Sequence, residues 1–416
     1  MDKKHIFIQP EYVRKFQCNG QKCGAKCCQK WCITIDPATY KKFAELKPRS
    51  ESEKILSHIR FDKKLERNVI DLEKDGRCPF LTPDDWCSIQ RQHGESMLSA
   101  VCKTYPRVFR CAGGYYERAL MMSCPVVAEL IAESTEPMSF EQLELSDEEM
   151  QPCLELLMTP MPAPNELIPH FFTMQYAAIS ILQTRNLSID GRLIVLGFYI
   201  DRLDELISAG RLDEIDRISA VYSSEEFLNS DARLLIADID FGAEAYIKKM
   251  FALLDALYGE KSDFNHLNRR YMDAIADTLE IVVDEHGSTS LSKIASNYRR
   301  LNSARREFLD KNSPYLEHYL VNEFFLSAYP WKTPHSLIQN YGIFVSTYKI
   351  LELSALSVEF QHQKRERDSA STERERLLST IMNLSANVDH KADYLECVVK
   401  QLDRDMLSIM KNLLEA

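Results

Sequence analysis

From about residue 166 to the end of the chain, apolar residues recur every three or four positions, the spacing of helices with one buried face. Leu193, Leu196, Ile200, Leu203 and Ile207 form one such stripe. Ser188 is placed to cap it and Gly210 to stop it. Similar stripes cover 246–258, 267–283, 299–308, 315–329, 336–356, 373–384 and 392–414. The prolines of 329–334 mark a loop, and 361–376 is a charged connection or an exposed helix face.

Upstream the pattern is shorter and more broken. Residues 5–16 read as an extended lead-in, and Ile33 with Ile35 as a strand. Asp36 and Pro37 mark a helix start, and 37–46 and 50–58 carry helical spacing. From 133 to 165 the chain turns acidic and then proline-rich at 159–164, which blocks helix continuation. The expected architecture is mainly α. A cysteine-rich module with few short strands occupies 1–130, a linker 131–165, and an α-helical domain 166–416. No repeat of fixed period is present.

Charge and cysteine content sharpen this picture. The net charge of −11, with no strongly basic stripe, argues against nucleic acid as a partner. The opening sixteen residues lack the apolar core of a secretory signal. The longest apolar run, Leu193 to Ile200, is too short to cross a bilayer. The expected location is therefore cytoplasmic, with no membrane contact. There thiols stay reduced, and dense cysteine clusters bind metals more often than they form disulfides.

Twelve cysteines are present, and five of them, Cys18, Cys23, Cys27, Cys28 and Cys32, fall between Phe16 and Ile35. Their thiolates are soft ligands for zinc, copper(I) or iron–sulfur clusters. Gly20 and Gly24 allow tight turns, and Lys15, Lys22, Lys26 and Lys30 are placed to lower thiol pKa values. Cys78, Cys87, Cys102 and Cys124 form a second group beside Pro, Gly and Asp, where loops are expected. Adjacent residues diverge in direction in a helix or a strand, so Cys27 and Cys28 reach a single small ion awkwardly. The eight candidate ligands are Cys18, Cys23, Cys27, Cys28, Cys78, Cys87, Cys102 and Cys124, more than one tetrahedral zinc takes. Cys32 and Cys111 are weaker candidates, and Cys153 and Cys397 read as structural. There is no GxGxxG, P-loop, HExxH or GxSxG motif, and Lys30 stands where a C-x3-C-x2-C motif would need its third cysteine.

Phe16–Cys18, Cys23, Cys27, Cys28, Trp31, Ile35 and Asp36 resemble the opening of the flagellin lysine-N-methylases, part of a broader family named for a CxxCxxCC motif. Cys78–Leu81, Trp86–Ile89, Cys102–Arg107 and Ser123–Pro125 resemble the same family, as does the helix around Gly197. The likeness is strong over 10–130 and diffuse beyond, and the cysteine gaps here are four and three residues rather than two and two. The resemblance implies a bacterial enzyme that methylates flagellin lysines with S-adenosylmethionine as donor. It also implies a [4Fe-4S] cluster, with zinc as the alternative metal.

Direct methyl transfer needs a neutral lysine amine aligned with the methyl group. Tyr105, Tyr115, Tyr116, Glu117 and Asp36 are candidates to manage its proton, and Arg107 and Arg110 to hold a donor carboxylate. The cluster's role stays open between a staple, a donor-binding iron and a radical initiator. Two other classes also remain: a non-enzymatic metal-binding interaction module and an iron–sulfur oxidoreductase.

Overall fold

The computed structural model describes residues 5–20, 23–24, 26–29, 32–112, 115–147, 150, 158–160, 162–237, 239, 241–258, 265–281, 290–364, 371–388 and 392–414. Lys22, Lys30, Trp31 and Cys153, singled out in the sequence, lie outside these residues, as does the side chain of Lys26. The chain divides into two compact units, 1–133 with 139–161, and 134–138 with 162–416. It is mainly helical with few short strands, as its periodicity predicts.

In the first unit, the lead-in is a strand, β1 (His5–Pro10), whose alternating burial seats Phe7 in a core with Phe109 and Met150. A second strand, β2 (Thr34–Ile35), leaves the cysteine-rich segment. Helix α1 (Pro37–Ala44) follows at once, with Asp36 accepting from Thr39 N at 2.9 Å and Pro37 at its first position. Next come α2 (Arg49–Leu56), β3 (Ile59–Asp62), β4 (Arg67–Ile70), α3 (Ser88–His93) and α4 (Ala100–Thr104). A hairpin, β5 (Arg107–Ala112) and β6 (Tyr115–Leu120), precedes α5 (Pro125–Ile131), β7 (Phe140–Leu145) and β8 (Met158–Pro160).

The strands build a five-stranded sheet ordered β7-β1-β6-β5-β8 and a three-stranded sheet ordered β2-β4-β3. The stretch 131–165 is therefore more than connecting chain: β7 pairs antiparallel with all of β1, from His5 opposite Leu145 to Pro10 opposite Phe140. Leu143 and Leu145, two residues apart on one face, supply the apolar positions that an acidic average conceals.

The second unit contains α6 (Ile168–Leu182), α7 (Ile189–Ser208), α8 (Ile215–Tyr222), α9 (Glu225–Asn229) and α10 (Asp231–Ala237). Then follow α11 (Ala243–Tyr258), α12 (Asn265–Thr278), α13 (Leu291–Arg300), α14 (Asn302–Leu326) and α15 (Leu337–Lys364). The unit closes with α16 (Glu373–Val388), α17 (Ala392–Gln401) and α18 (Met406–Leu413). Ser188 caps α7 through Gly191 N at 3.1 Å, as the sequence indicates.

The stripes at 299–308 and 315–329 prove to be largely one helix, α14, with Pro314 inside it. Burial of Leu316, Leu320, Phe324 and Phe325 in the core offsets the backbone bond that proline cannot make. Gly197 has a packing reason: a Cβ there would sit 2.8 Å from Met410 Sδ and 2.8 Å from Tyr341 Oη. That Tyr341 hydroxyl donates to Leu193 O at 2.8 Å, fixing α15 against α7. No helix among the described residues is long and apolar enough to cross a membrane.

Candidate functional site

The local chain brings the two cysteine groups together. Cys27 and Cys28 lie on a 3₁₀ turn, Lys26–Cys28, followed by a β-bridge between Gln29 and Arg77. Cys78 N donates to Cys28 O at 2.9 Å, so the second group begins in register with the end of the first. A second bridge, Leu81 to Cys87, folds 78–87 into a tight loop pinned by Thr82 and by Arg77 on Asp85 at 2.9 Å. Gly20, with φ at +39°, lies against the Trp86 ring, where a Cβ would come within 2.6 Å of Cζ3. Only glycine allows this approach, which packs the first cysteine segment on the second.

Three thiols of the second group stand at helix starts. Cys87 and Cys124 occupy the positions just before α3 and α5, and Cys102 lies in the first turn of α4, where Ser99 Oγ accepts from Cys102 N at 3.4 Å. Asp36 reaches across from α1 to accept from Ala100 N at 2.9 Å. Burial raises its carboxyl, but the N–H groups of Ala100 and Thr39 outweigh that and hold it below the ordinary range. Asp36 thus positions the Cys102 helix and does not line the cavity described next.

All eight cysteines of the ligand set line one cavity of about 430 Å³. That volume is within the usual range for small-ligand sites. Cys27 Sγ and Cys28 Sγ are 3.7 Å apart. Two thiolates at about 2.3 Å from a tetrahedral metal are separated by a similar distance, so the 3₁₀ turn removes the difficulty expected of adjacent cysteines. Among the described residues, no three His, Cys, Asp or Glu side chains converge closely enough to hold a single metal ion. The donor set is nevertheless all sulfur and spread around a shared space, which suits the Cys₄ ligation of an iron–sulfur cluster.

Burial governs the thiols, pushing Cys78, Cys102 and Cys124 up to about 12 and raising Cys87 as well. The sequence predicts that lysines lower the thiols of the first segment; there Cys27 is lowered, by its hydrogen bond with Cys28 and not by a lysine, and Lys15 faces Glu133 at 3.6 Å. The hydrogen bond that Cys27 and Cys28 share lowers Cys27 and raises Cys28. The thiols also raise one another, the field that a bound cation would reverse.

The other sequence candidates separate clearly. Arg107 and Tyr105 line the cavity. The Arg107 guanidinium lies 5.2 Å from the Phe16 ring centre, and the Tyr105 hydroxyl is 3.2 Å from Ser123 Oγ. Arg110 does not line it: its guanidinium is buried in a pair with Glu117 at 2.8 Å. Tyr116 stacks on Phe7 at 5.1 Å, and Tyr115 is exposed on β6. Neither lines the cavity, and neither do Cys32 and Cys111.

The sequence reading missed Glu95, the sole carboxylate in the cavity lining among the described residues. It sits on a 3₁₀ turn, Glu95–Met97, is exposed, and its side chain has no hydrogen-bond or ion-pair partner among the described residues. No motif marks it, and only the path of the chain after α3 brings it to the thiols. Lys103 lines the same cavity.

A family model described as the FliB lysine N-methylase C-terminal domain matches residues 175–415. A lysine-N-methylase of Salmonella typhimurium (strain LT2) is 28% identical over 143 residues, 34% of this chain and 36% of that protein. The flagellar biosynthetic protein FliU of Salmonella muenchen is 28% identical over 140 residues, 33% of this chain and 83% of that protein. The chain thus spans about a third of the length of the lysine-N-methylases it matches. No solved structure matches. With more than half of its length covered by that family model, the chain belongs to the FliB lysine N-methylase family.

Proposed function

We propose that this chain methylates lysine side chains of flagellin, with S-adenosylmethionine as donor and a [4Fe-4S] cluster held by four of the eight cavity thiols. The observation that carries the reading is the shared cavity, which joins eight soft ligands to Glu95, Lys103, Tyr105 and Arg107. The names of the Salmonella relatives, lysine-N-methylase and flagellar biosynthetic protein, support the substrate assignment. No disulfide joins the described cysteines, which suits a reducing, cytoplasmic setting before export.

In this reading the lysine nitrogen forms a bond to the methyl carbon as the carbon–sulfur bond breaks. The sulfonium leaves as a neutral thioether, and one proton is lost from nitrogen. Arg107 holds the donor's carboxylate as a planar fork on the cavity wall. Glu95 receives the lysine ammonium and then its proton, so that the amine is neutral when it attacks. Tyr105, tied to Ser123, orients the amine from the same wall. Held by four thiols, a bound cluster would staple their segments together or supply an electron; ligation by three would be needed to leave an open iron for donor binding.

The test is intact-mass spectrometry of flagellin incubated with S-adenosylmethionine and anaerobically purified protein, beside a Cys27→Ala/Cys28→Ala variant. Iron and sulfide content is measured on both proteins. Methyl-sized mass steps and cluster iron with the wild type only are expected. Steps with both proteins would make that pair dispensable. Absence of steps from iron-loaded wild type would overturn simple donor-dependent methylation and favour the docking-module or redox readings.

A further inference from the structure

We propose that the helical unit holds a second site, separate from the cysteine cavity, that binds a small phosphate-bearing ligand. A cavity of about 740 Å³ lies within this unit, inside the size range of small-ligand sites. Arg185, Arg192, Arg299, Arg305 and Arg306 line it, in a chain whose net charge is −11. Such a reversal of sign within a cleft concentrates anions.

The local charges do not cancel. Arg185 and Arg192 share the single carboxylate of Glu317, each at 2.8 Å. Arg305 and Lys349 face Asp190 and Glu352, two charges against two. Arg299 and Arg306 are exposed and have no carboxylate partner among the described residues, while Asp310 is the one further acid on the wall. Six cations therefore meet four carboxylates here, and with Glu136, whose charge also acts on Arg185, the balance remains positive by one. Asp190, Arg192 and Arg305 are at least nine-tenths buried, so the floor is fixed by paired charges while the two unpaired guanidiniums stand at the rim.

The backbone adds to this field. Ile189 and Asp190 open the 20-residue α7, Ala243 opens the 16-residue α11, and Asn302 opens the 25-residue α14, and all four line the cavity. Three helix starts therefore meet here, and each carries partial positive charge with N–H groups unsatisfied within its helix. α14 has no side-chain cap at its start. Guanidinium forks and helix N-termini together recognise phosphate. Leu187, Phe241 and Leu309 provide an apolar wall for an organic moiety, which favours a nucleotide-like ligand over a bare ion.

The test is isothermal titration of the full-length protein at low ionic strength with pyrophosphate, ADP and adenosine. Pyrophosphate and ADP are expected to bind and adenosine not. The variant Arg299→Ala/Arg306→Ala should weaken ADP binding by at least about tenfold, since two charge-assisted contacts are lost. Its ligand-free melting temperature should match the wild type, because both side chains are exposed and unpaired. No binding of either phosphate compound at millimolar concentration would overturn the site, as would ADP binding unaltered in the variant. Adenosine binding as tightly as ADP would overturn phosphate recognition.

Discussion

The cysteine cavity and the charge network of the helical unit place ionisable groups out of water in opposite ways. In the first, thiols meet thiols, and each thiolate would raise its neighbours' pKa values further. In the second, Lys349 Nζ lies 2.7 Å from Glu352 and 3.1 Å from Asp190, while Arg305 lies 2.7 Å from Glu352. Opposite charges thus neutralise one another inside the helical unit, whereas the thiols require a cation from outside to become anionic together. The difference separates scaffold from chemistry. A closed ion-pair network fixes helices, whereas a set of like donors is what the proposed cluster would need.

The largest effect that could break this contrast is on stability. Lys349→Met leaves Asp190 and Glu352 to share Arg305 alone. Removing one member of a buried charged set costs about 3–5 kcal/mol. Guanidinium denaturation of the variant should show a loss of this size. A loss under about 1 kcal/mol, the scale of exposed pairs, would mean that water enters the network and that the two regions differ less than drawn.

A smaller effect sharpens the same point through pH. Burial pushes the Glu352 carboxyl up, but the adjacent Arg305 and Lys349 outweigh it and hold it at about 2, against an ordinary 4.5. The unfolded chain therefore binds a proton on this side chain before the folded one does. Its contribution to stability is complete above pH 4.5 and is lost as pH falls toward 2. Acid denaturation of the wild type should steepen across this window, and Glu352→Gln should remove that part of the slope. An identical slope in the variant would show that other carboxylates carry it.

What the sequence disclosed divides along the same line. The helices could be read because Leu193, Leu196, Ile200 and Leu203 mark one buried face, and a 3.6-residue period survives without tertiary knowledge. The eight thiols could be listed because cysteine is scarce and its spacing carries chemistry. Strand β7 was hidden because an average over 133–165 hides alternation within six residues. Arg107 and Arg110 looked equivalent in sequence, yet β5 turns one to the cavity and buries the other against Glu117. The network of Asp190, Arg305, Lys349 and Glu352 joins positions from three helices, a convergence that no local pattern records.

Glu95 offers the finest test of the cysteine side of the comparison. If the thiols are ligands and Glu95 is the carboxylate that meets the substrate amine, its charge matters to catalysis and not to the fold. The side chain is exposed and unpaired among the described residues, so Glu95→Gln should leave the melting temperature and iron content unchanged. Turnover should respond instead. Loss of the carboxylate removes both an attraction for ammonium and an acceptor for its proton, so kcat/KM for flagellin should fall by about tenfold or more. The division of that loss is informative. A raised KM with kcat intact would make Glu95 a binding group for the charged lysine. A fall in kcat that recovers as pH rises would make it the proton acceptor, because at high pH lysine arrives already neutral. Unaltered kcat and KM would remove Glu95 from the site and leave the thiols with no carboxylate beside them to receive a lysine.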